Sequence, residues 1–172
     1  MIYLEGTLLP EKQEQELFDF VLSSDFPLYY QRTTTEYKGF AHTLMYRNEQ
    51  NLPVNGTPNS DVYPYFEQIL IKSCEQVGIK LNSIYRGSIN STVYSPDKYG
   101  QIHTDHDFPH NNFILYLDEF TDAPTYIFDK DNNVIKTSSV GKNKFIIFSG
   151  EPHAQGFCAP NERRTVVVFT FS

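Results

Sequence analysis

The sequence predicts a mainly β fold: a double-stranded β-helix, or jelly roll, with two N-terminal helices packed on one of its sheets. Helical spacing of apolar residues is confined to the segments 11–22 and 60–78. From residue 80 onward, short apolar segments alternate with turns, as they do in all-β folds. Aromatic residues, which favour strands, make up 15% of the chain. Eight such strands after two helices are typical of a jelly roll with a helical backing.

Both predicted helices have one apolar face. The first covers 11–22, after Pro10, and opens with a polar turn. The second begins at the capping residues Ser60 and Asp61 and stops at Gly78. The apolar faces consist of Leu17, Phe18, Val21 and Leu22 in the first helix, and Phe66, Ile69, Leu70, Ser73 and Val77 in the second.

Strands are predicted between the helices and throughout the second half of the chain. The pair between the helices covers 28–35 and 38–47, and a long loop follows at 48–59. Two later strands, at 143–149 and 163–171, have apolar residues on both faces, which suits a sheet covered by helices. The eight predicted strands of the second half are 80–86, 89–95, 99–104, 112–118, 124–129, 133–138, 143–149 and 163–171.

Composition narrows the class of protein. The chain has 172 residues, 40% of them apolar and 20% charged, which predicts one folded domain rather than disorder. The net charge is -7 and no basic stripe occurs, so nucleic acid is not an expected partner. No apolar run has the length of a membrane span, and no signal peptide is recognised at the start.

Cys74 and Cys158 form no C-x-x-C pair. Free thiols in a reducing compartment, and hence a cytoplasmic protein, are expected.

A metal site is predicted from three residues far apart in the sequence. His103 and Asp105 are two positions apart at a predicted strand end, so their side chains share a face. His153 follows the apolar segment 144–148 and a turn, at the mouth of the predicted barrel. Two imidazoles and one carboxylate that leave open positions are the usual ligands of non-haem iron(II) that activates oxygen.

An arginine pair follows the distal histidine by ten and eleven residues. Arg163 and Arg164 open an apolar strand, and neighbouring strand residues point to opposite faces. Arg163 shares its face with the more aromatic side of the strand, so it is predicted to point into the barrel. A fixed guanidinium there suits a co-substrate that carries a carboxylate.

With these residues assembled, the chain resembles the 2-oxoglutarate- and Fe(II)-dependent dioxygenases, and within them the prolyl 4-hydroxylase-like branch. The resemblance covers roughly residues 80–172 and rests on the order and spacing of the motifs. It implies Fe(II) held by His103, Asp105 and His153, with 2-oxoglutarate and O2 as co-substrates. It also implies that Arg163 binds the far carboxylate of 2-oxoglutarate.

The resemblance also fixes the expected domain organisation. Residues 1–172 would form a single oxygenase domain. Within it, 1–79 would supply helical and strand support, and 80–172 would form the jelly-roll core. The loops 35–60 and 95–112 would frame the mouth and determine the substrate.

Two tyrosines fit the same family pattern. Tyr116 stands where prolyl-hydroxylase-like enzymes have a Tyr-Leu-Asn/Asp that ends a strand, and it is implied to help bind the distal carboxylate. Tyr94, nine residues before His103, resembles the pocket tyrosine of those enzymes. Thr125 matches the threonine of a Gly-Gly-x-Thr strand start, although Ala123 and Pro124 precede it here.

The implied function is hydroxylation of a prolyl or other peptide side chain, with release of succinate and CO2. A free amino acid or another small metabolite is the alternative substrate. Two other classes stay open: a zinc hydrolase with Glu151 as its base, and a jelly-roll binding module that does no chemistry. His106 and His110 are interpreted as residues of an exposed polar loop that could instead contact substrate.

Overall fold

The computed structural model describes residues 1–31 and 39–172. Two helices are found in these ranges, α1 (Lys12–Leu22) and α2 (Tyr63–Gln76). Neither has the length and apolar character that a membrane crossing requires. The strands in the same ranges are β1 (Tyr3–Thr7), β2 (Tyr29–Gln31), β3 (Gly39–Tyr46), β4 (Thr57–Pro58), β5 (Ile84–Val93), β6 (Asn111–Tyr116), β7 (Thr125–Phe128), β8 (Val134–Thr137), β9 (Lys144–Ser149), β10 (His153–Gln155) and β11 (Arg163–Phe171).

The strands form two antiparallel sheets. The larger has the order β1-β9-β6-β11-β5-β3-β2, with β4 paired to β3. The smaller has the order β10-β7-β8. The chain passes from β9 in the first sheet to β10 in the second, a crossing between sheets that is typical of a jelly roll.

Two apolar layers lie on opposite faces of the larger sheet. On the outer face both helices pack against it, with Phe18 and Phe66 buried among Phe113 and Phe169. On the inner face a second cluster, which includes Ile114, faces the smaller sheet. The prediction of a jelly roll with helices packed on one sheet is therefore confirmed.

Strand β11 divides its side chains between these two layers. Val167, Phe169 and Phe171 belong to the layer under the helices. Val166 and Val168 belong to the layer between the sheets. The more aromatic side of this strand therefore faces the helices and not the barrel interior, the reverse of the sequence-based interpretation.

The predicted strands 80–86 and 89–95 are one strand, β5. Gly87, which looked like part of a turn, is paired with Phe169 of β11. A Cβ built on Gly87 would lie 2.3 Å from an atom of the Phe169 ring. The glycine therefore makes room for an aromatic ring in the core, and it does not break the strand.

Other predicted boundaries also change. Segment 99–104 has only isolated bridges at Tyr99 and His103, and is not a strand. The short strands β1, β4 and β10 were missed, because two to five residues give too little periodicity. Of the predicted strand 28–35, residues 29–31 are confirmed, and residues 32–35 lie outside the described part of the chain, as does residue 38 of the predicted strand 38–47.

Gly87→Ala should destabilise the fold, because the new methyl group would displace the buried Phe169 ring. Overpacking of this kind costs about 1–3 kcal/mol. The expected result is a lower urea midpoint in equilibrium unfolding. Gly39→Ala is the matched control, since the nearest atom to its new Cβ is 3.5 Å away, an ordinary contact. Equal midpoints for the two variants would contradict this account of Gly87.

Candidate metal centre and its cavity

The two candidate histidine ligands are joined through their backbones. The amide of His103 donates to the carbonyl of His153 at 3.0 Å, and the amide of His153 donates back at 2.9 Å. This isolated antiparallel bridge places the ring centres 4.5 Å apart. Two main-chain hydrogen bonds thus hold together residues that are fifty positions apart in sequence.

Each histidine ring is oriented by a second hydrogen bond. Nδ1 of His103 donates to the carbonyl of Gln101 at 3.0 Å, and Nδ1 of His153 donates to the carbonyl of Glu151 at 3.0 Å. Because a carbonyl oxygen can only accept, both rings carry their proton on Nδ1 when neutral. Nε2 of each ring then has a free lone pair, which is the state that binds a metal.

The carboxylate of Asp105 completes the cluster. Burial opposes its ionisation, but the Arg86 guanidinium and the two histidines outweigh burial and hold the pKa of Asp105 well below its usual value. Oδ1 lies 3.0 Å from Nη2 of Arg86, and Oδ2 lies 3.4 Å from Nε2 of His153. Desolvation and the neighbouring His153 lower the pKa of the His103 ring. At neutral pH the set therefore consists of a carboxylate and a neutral His103 imidazole.

These three residues fit a divalent metal ion. One ligand atom from each of His103, Asp105 and His153 lies within 4.8 Å of the other two. Oδ2 of Asp105 is buried and has no hydrogen-bond partner among the described residues. A buried carboxylate oxygen without a hydrogen-bond partner is costly unless a cation neutralises it. The predicted His-Asp-His cluster is present in the fold.

The cluster opens into a cavity of about 500 Å³. One side of β5 forms much of its wall, because the strand alternation turns Arg86, Ser88, Asn90 and Thr92 toward it. A smaller cavity of about 60 Å³ lies next to the cluster and shares Arg86 and Asn90 with the first. Pockets of several hundred Å³ are the usual size of small-molecule sites.

Arg164, and not Arg163, is the arginine inside the barrel. Arg164 is 2% exposed and lines the smaller cavity with His103, Asp105 and His153. Arg163 donates to the Asp118 carboxylate at 3.2 Å and to the carbonyl of Leu22 on the helical side. The predicted inward orientation of Arg163 is therefore wrong, because its face of β11 packs toward the helices.

Tyr116 lies beside Arg164. The guanidinium carbon of Arg164 is 5.3 Å from the centre of the Tyr116 ring. The Tyr116 hydroxyl is within 2.9 Å of the Thr125 hydroxyl and 2.7 Å of the Ser138 hydroxyl. Arg164 in turn donates to Thr125 at 3.0 Å and to the carbonyl of Ala123 at 3.0 Å. Tyr116, Thr125 and Arg164 thus form one buried polar network next to the cluster.

Tyr94 is not brought to the site. It follows the end of β5, is 49% exposed, and is not among the residues that line either cavity. The strand ends at Val93, one residue earlier, so Tyr94 leaves the sheet before it can turn inward. Its predicted place in the pocket is wrong.

His106 and His110 are buried, which corrects their interpretation as exposed loop residues. They are 5% and 6% exposed. The ring nitrogens of His106 lie 3.0 Å from the Asn51 side-chain oxygen and 2.8 Å from the Thr170 hydroxyl. Burial, followed by the charge of Arg47, lowers the pKa of His106 to about 4. His106 therefore ties the 48–59 loop to β11, directly after a candidate ligand.

Known proteins resemble this chain in structure but not in sequence. No protein-family model matches the sequence, and no curated protein matches it. Among solved structures, an oxidoreductase of the 2OG-Fe(II) oxygenase family from Burkholderia pseudomallei aligns with a TM-score of 0.74 and 14% identity, over 99% of this chain and 84% of that one. The chain has the fold of the 2-oxoglutarate/Fe(II) oxygenases.

Two further structures share this oxygenase fold. A Pseudomonas putida prolyl-4-hydroxylase aligns with a TM-score of 0.61 and 13% identity, over 98% of this chain and 91% of that one. SnoN, a non-heme alpha-ketoglutarate-dependent epimerase from nogalamycin biosynthesis, aligns with a TM-score of 0.64 and 10% identity, over 99% of this chain and 77% of that one. The same architecture thus occurs with different chemistry.

His153→Ala should abolish binding of Mn(II), because two remaining ligands cannot hold the ion in a three-ligand site. Isothermal titration of the metal-free protein checks this. His42→Gln is the control, since His42 bonds to Pro27 and Ser60 and does not line the cavity. Unchanged Mn(II) affinity in His153→Ala would exclude the cluster as the metal site.

Proposed function

We propose that this protein is an Fe(II)- and 2-oxoglutarate-dependent dioxygenase that hydroxylates a C–H bond of its substrate. The observation that carries the proposal is the position of the His-Asp-His cluster. It lies between a cavity large enough for a substrate and a buried arginine able to bind a carboxylate. A binding module that does no chemistry would not need three ligands that leave open coordination positions.

His103, Asp105 and His153 would hold the iron, which when bound supplies the site where the keto acid and O2 meet. Both histidines present Nε2 because their Nδ1 protons are committed to backbone carbonyls. Asp105 would neutralise one of the two metal charges. Hydrogen bonds to the backbone would thus orient both histidine rings even without a bound metal.

Arg164 would bind the far carboxylate of 2-oxoglutarate. Two of its N–H groups are used, toward Ala123 and Thr125, and a guanidinium has five. The three others are free to donate to a carboxylate in the smaller cavity. Tyr116 would support this site through Thr125, whose hydroxyl it contacts. This assigns to Arg164 the role that the sequence spacing had given to Arg163.

The proposed reaction balances as a four-electron reduction of O2. Two electrons come from the oxidative decarboxylation of 2-oxoglutarate and two from the substrate C–H bond. One oxygen atom enters succinate and the other enters the product hydroxyl, while CO2 carries away the lost carboxyl group. The described residues contribute binding and orientation, and no protein nucleophile or general base takes part.

A zinc hydrolase with the same ligands has less support. It would need a carboxylate base that faces the metal, and Glu151 was the candidate. Glu151 is not among the described residues that line either cavity, whereas its backbone carbonyl is occupied by His153. Asp105 is the one carboxylate among the described residues lining the cavities, and it belongs to the metal site.

The substrate predicted from sequence is a prolyl or other peptide side chain, with a free amino acid or other small metabolite as the alternative. The prolyl-4-hydroxylase among the structural neighbours supports the first, and the epimerase of nogalamycin biosynthesis supports the second. A cytoplasmic location stays a prediction that rests on the two cysteines being free thiols. The absence of nucleic-acid and membrane partners also stays a prediction, which rests on the acidic net charge without a basic stripe and on the lack of a long apolar run.

Succinate release should require both Fe(II) and 2-oxoglutarate. Succinate is a product of the proposed reaction whatever the substrate is, so its release reports turnover before the hydroxylated product is identified. Quantifying succinate with and without each component checks the proposal. Succinate formed without iron, or no 2-oxoglutarate binding to the Mn(II)-loaded protein, would contradict it.

Arg164→Met should weaken 2-oxoglutarate binding to the Mn(II)-loaded protein by about 100-fold, as loss of a buried charge-assisted contact does. Arg163→Met should leave that affinity within about twofold, since Arg163 serves Asp118 and Leu22 on the helical side. Isothermal titration measures both.

Arg164→Lys separates loss of binding from loss of folding. It keeps the charge but not the bidentate fork, and should recover part of the affinity. Thermal unfolding of all three variants shows whether each is folded. Weakened binding in Arg163→Met with intact binding in Arg164→Met would overturn the assignment.

A further inference from the structure

The larger cavity has mostly polar walls. Most of its described lining residues carry hydroxyl, amide, imidazole or charged groups, and the apolar side chains there are Phe40 and Ala41. Most small-molecule pockets are lined predominantly by hydrophobic residues with a few polar groups, so a wall this polar is unusual. A substrate that matches this cavity must therefore offer polar or charged groups in return.

Two arginines lie in this wall and neither has a role in the proposed function. Arg86 of β5 contacts the carboxylate of Asp105, and its buried Nε has no hydrogen-bond partner among the described residues. Its side chain is 28% exposed, so part of the guanidinium faces the cavity. Within the described ranges, the anion that it contacts is Asp105, a candidate metal ligand whose charge a bound cation would share.

Arg47 follows the end of β3 and lines the same cavity. No side-chain hydrogen bond or ion pair joins Arg47 to another residue within 1–31 and 39–172. Desolvation, followed by repulsion from Arg86, lowers the pKa of Arg47, while Asp105 and Asp107 act in the opposite direction. Arg47 and Arg86 line the same cavity, so one anion bound between them would lower the energy of both like charges.

A charge count shows what is missing from the cavity. In the proposed complex, two positive charges of the metal and one of Arg164 balance Asp105 and the dianionic co-substrate. Arg47 and Arg86 then add two positive charges, and Asp107 offsets one of them. At least one positive charge in the described wall stays unbalanced, in a partly desolvated site where an anion binds strongly.

We infer that the substrate of this protein is a polar organic acid whose carboxylate or phosphate is bound by Arg47 and Arg86. This inference rests on the proposed function for the reacting end of the substrate. With its anionic group held at the two arginines, the molecule would lie against the wall that Ser88 and Asn90 form, beside His103 and Asp105. The polar wall of β5 fits a small acid better than an internal prolyl ring, which has no charge.

The test uses small anions as probes, with the co-substrate site filled. The protein is loaded with Zn(II), which is redox-inert and diamagnetic, and with saturating 2-oxoglutarate. Acetate, methylphosphonate and the neutral acetamide are then titrated while the arginine Nε–H signals are followed by ¹H–¹⁵N NMR. Spectra of Arg47→Met and Arg86→Met identify the two signals. The expected result is that an anion shifts both signals and acetamide shifts neither.

Arg47→Met should weaken anion binding by about tenfold, whereas 2-oxoglutarate affinity should change by less than about twofold. Lys130→Met is the matched control, because it removes one positive charge from the exposed β7–β8 turn, outside the described cavity wall, and should change neither affinity. Tighter binding of methylphosphonate would indicate a phosphorylated substrate, and tighter or equal binding of acetate a carboxylic acid.

Three outcomes would overturn the inference. The first is no shift with either anion, and the second is an equal shift with acetamide. The third is a parallel loss of 2-oxoglutarate affinity in Arg47→Met and Arg86→Met, which would assign the arginines to the co-substrate. Failure of the proposed function looks different, since 2-oxoglutarate itself would then not bind the metal-loaded protein.

Discussion

The backbone bridge between His103 and His153 is the interaction on which the candidate site depends. Its two hydrogen bonds, at 3.0 and 2.9 Å, join the segment before β6 to the start of β10. The same two residues supply imidazoles, and each ring is locked by a carbonyl two positions earlier in its own chain segment. Main-chain geometry thus fixes the position and the tautomer of both ligands, and Asp105 needs only to turn inward beside them.

The two faces of β5 and β11 have different roles: the outer face packs in the core, and the inner face points toward the candidate metal site. On the outer face, Gly87 and Phe169 fit together under the helices. On the inner face, Arg86 and Arg164 point toward the cluster. Because a shift of one residue would exchange the two faces, packing of the aromatic core also sets which side chains reach the metal site. A change in strand register in the core would therefore also displace the side chains of the site.

Features encoded by periodicity and motif spacing could be predicted from the sequence. Features that depend on long-range packing could not. Both helices, the jelly roll and the His-Asp-His cluster follow from local patterns. The choice between Arg163 and Arg164 depends on which side of β11 the helices cover, and the aromatic side was assigned to the wrong layer. Arg86 was missed because Gly87 was interpreted as a turn, although polar residues at every second position of 86–92 were a usable signal. Arg47 is a single charged residue after a strand, and no sequence pattern marks it as part of the site.

The contact between Arg86 and Asp105 links metal binding to the rest of the cavity. A carboxylate that is 7% exposed requires a positive partner, and among the described residues Arg86 is the arginine that contacts it. A metal ion at the three ligands would share that carboxylate and weaken its hold on the guanidinium. Arg86 would then be free to attract another anion, next to Arg47, only once the metal is in place. The Arg86 guanidinium thus stabilises the buried Asp105 carboxylate when no metal is bound. When metal is bound, the same guanidinium is available to an anionic substrate.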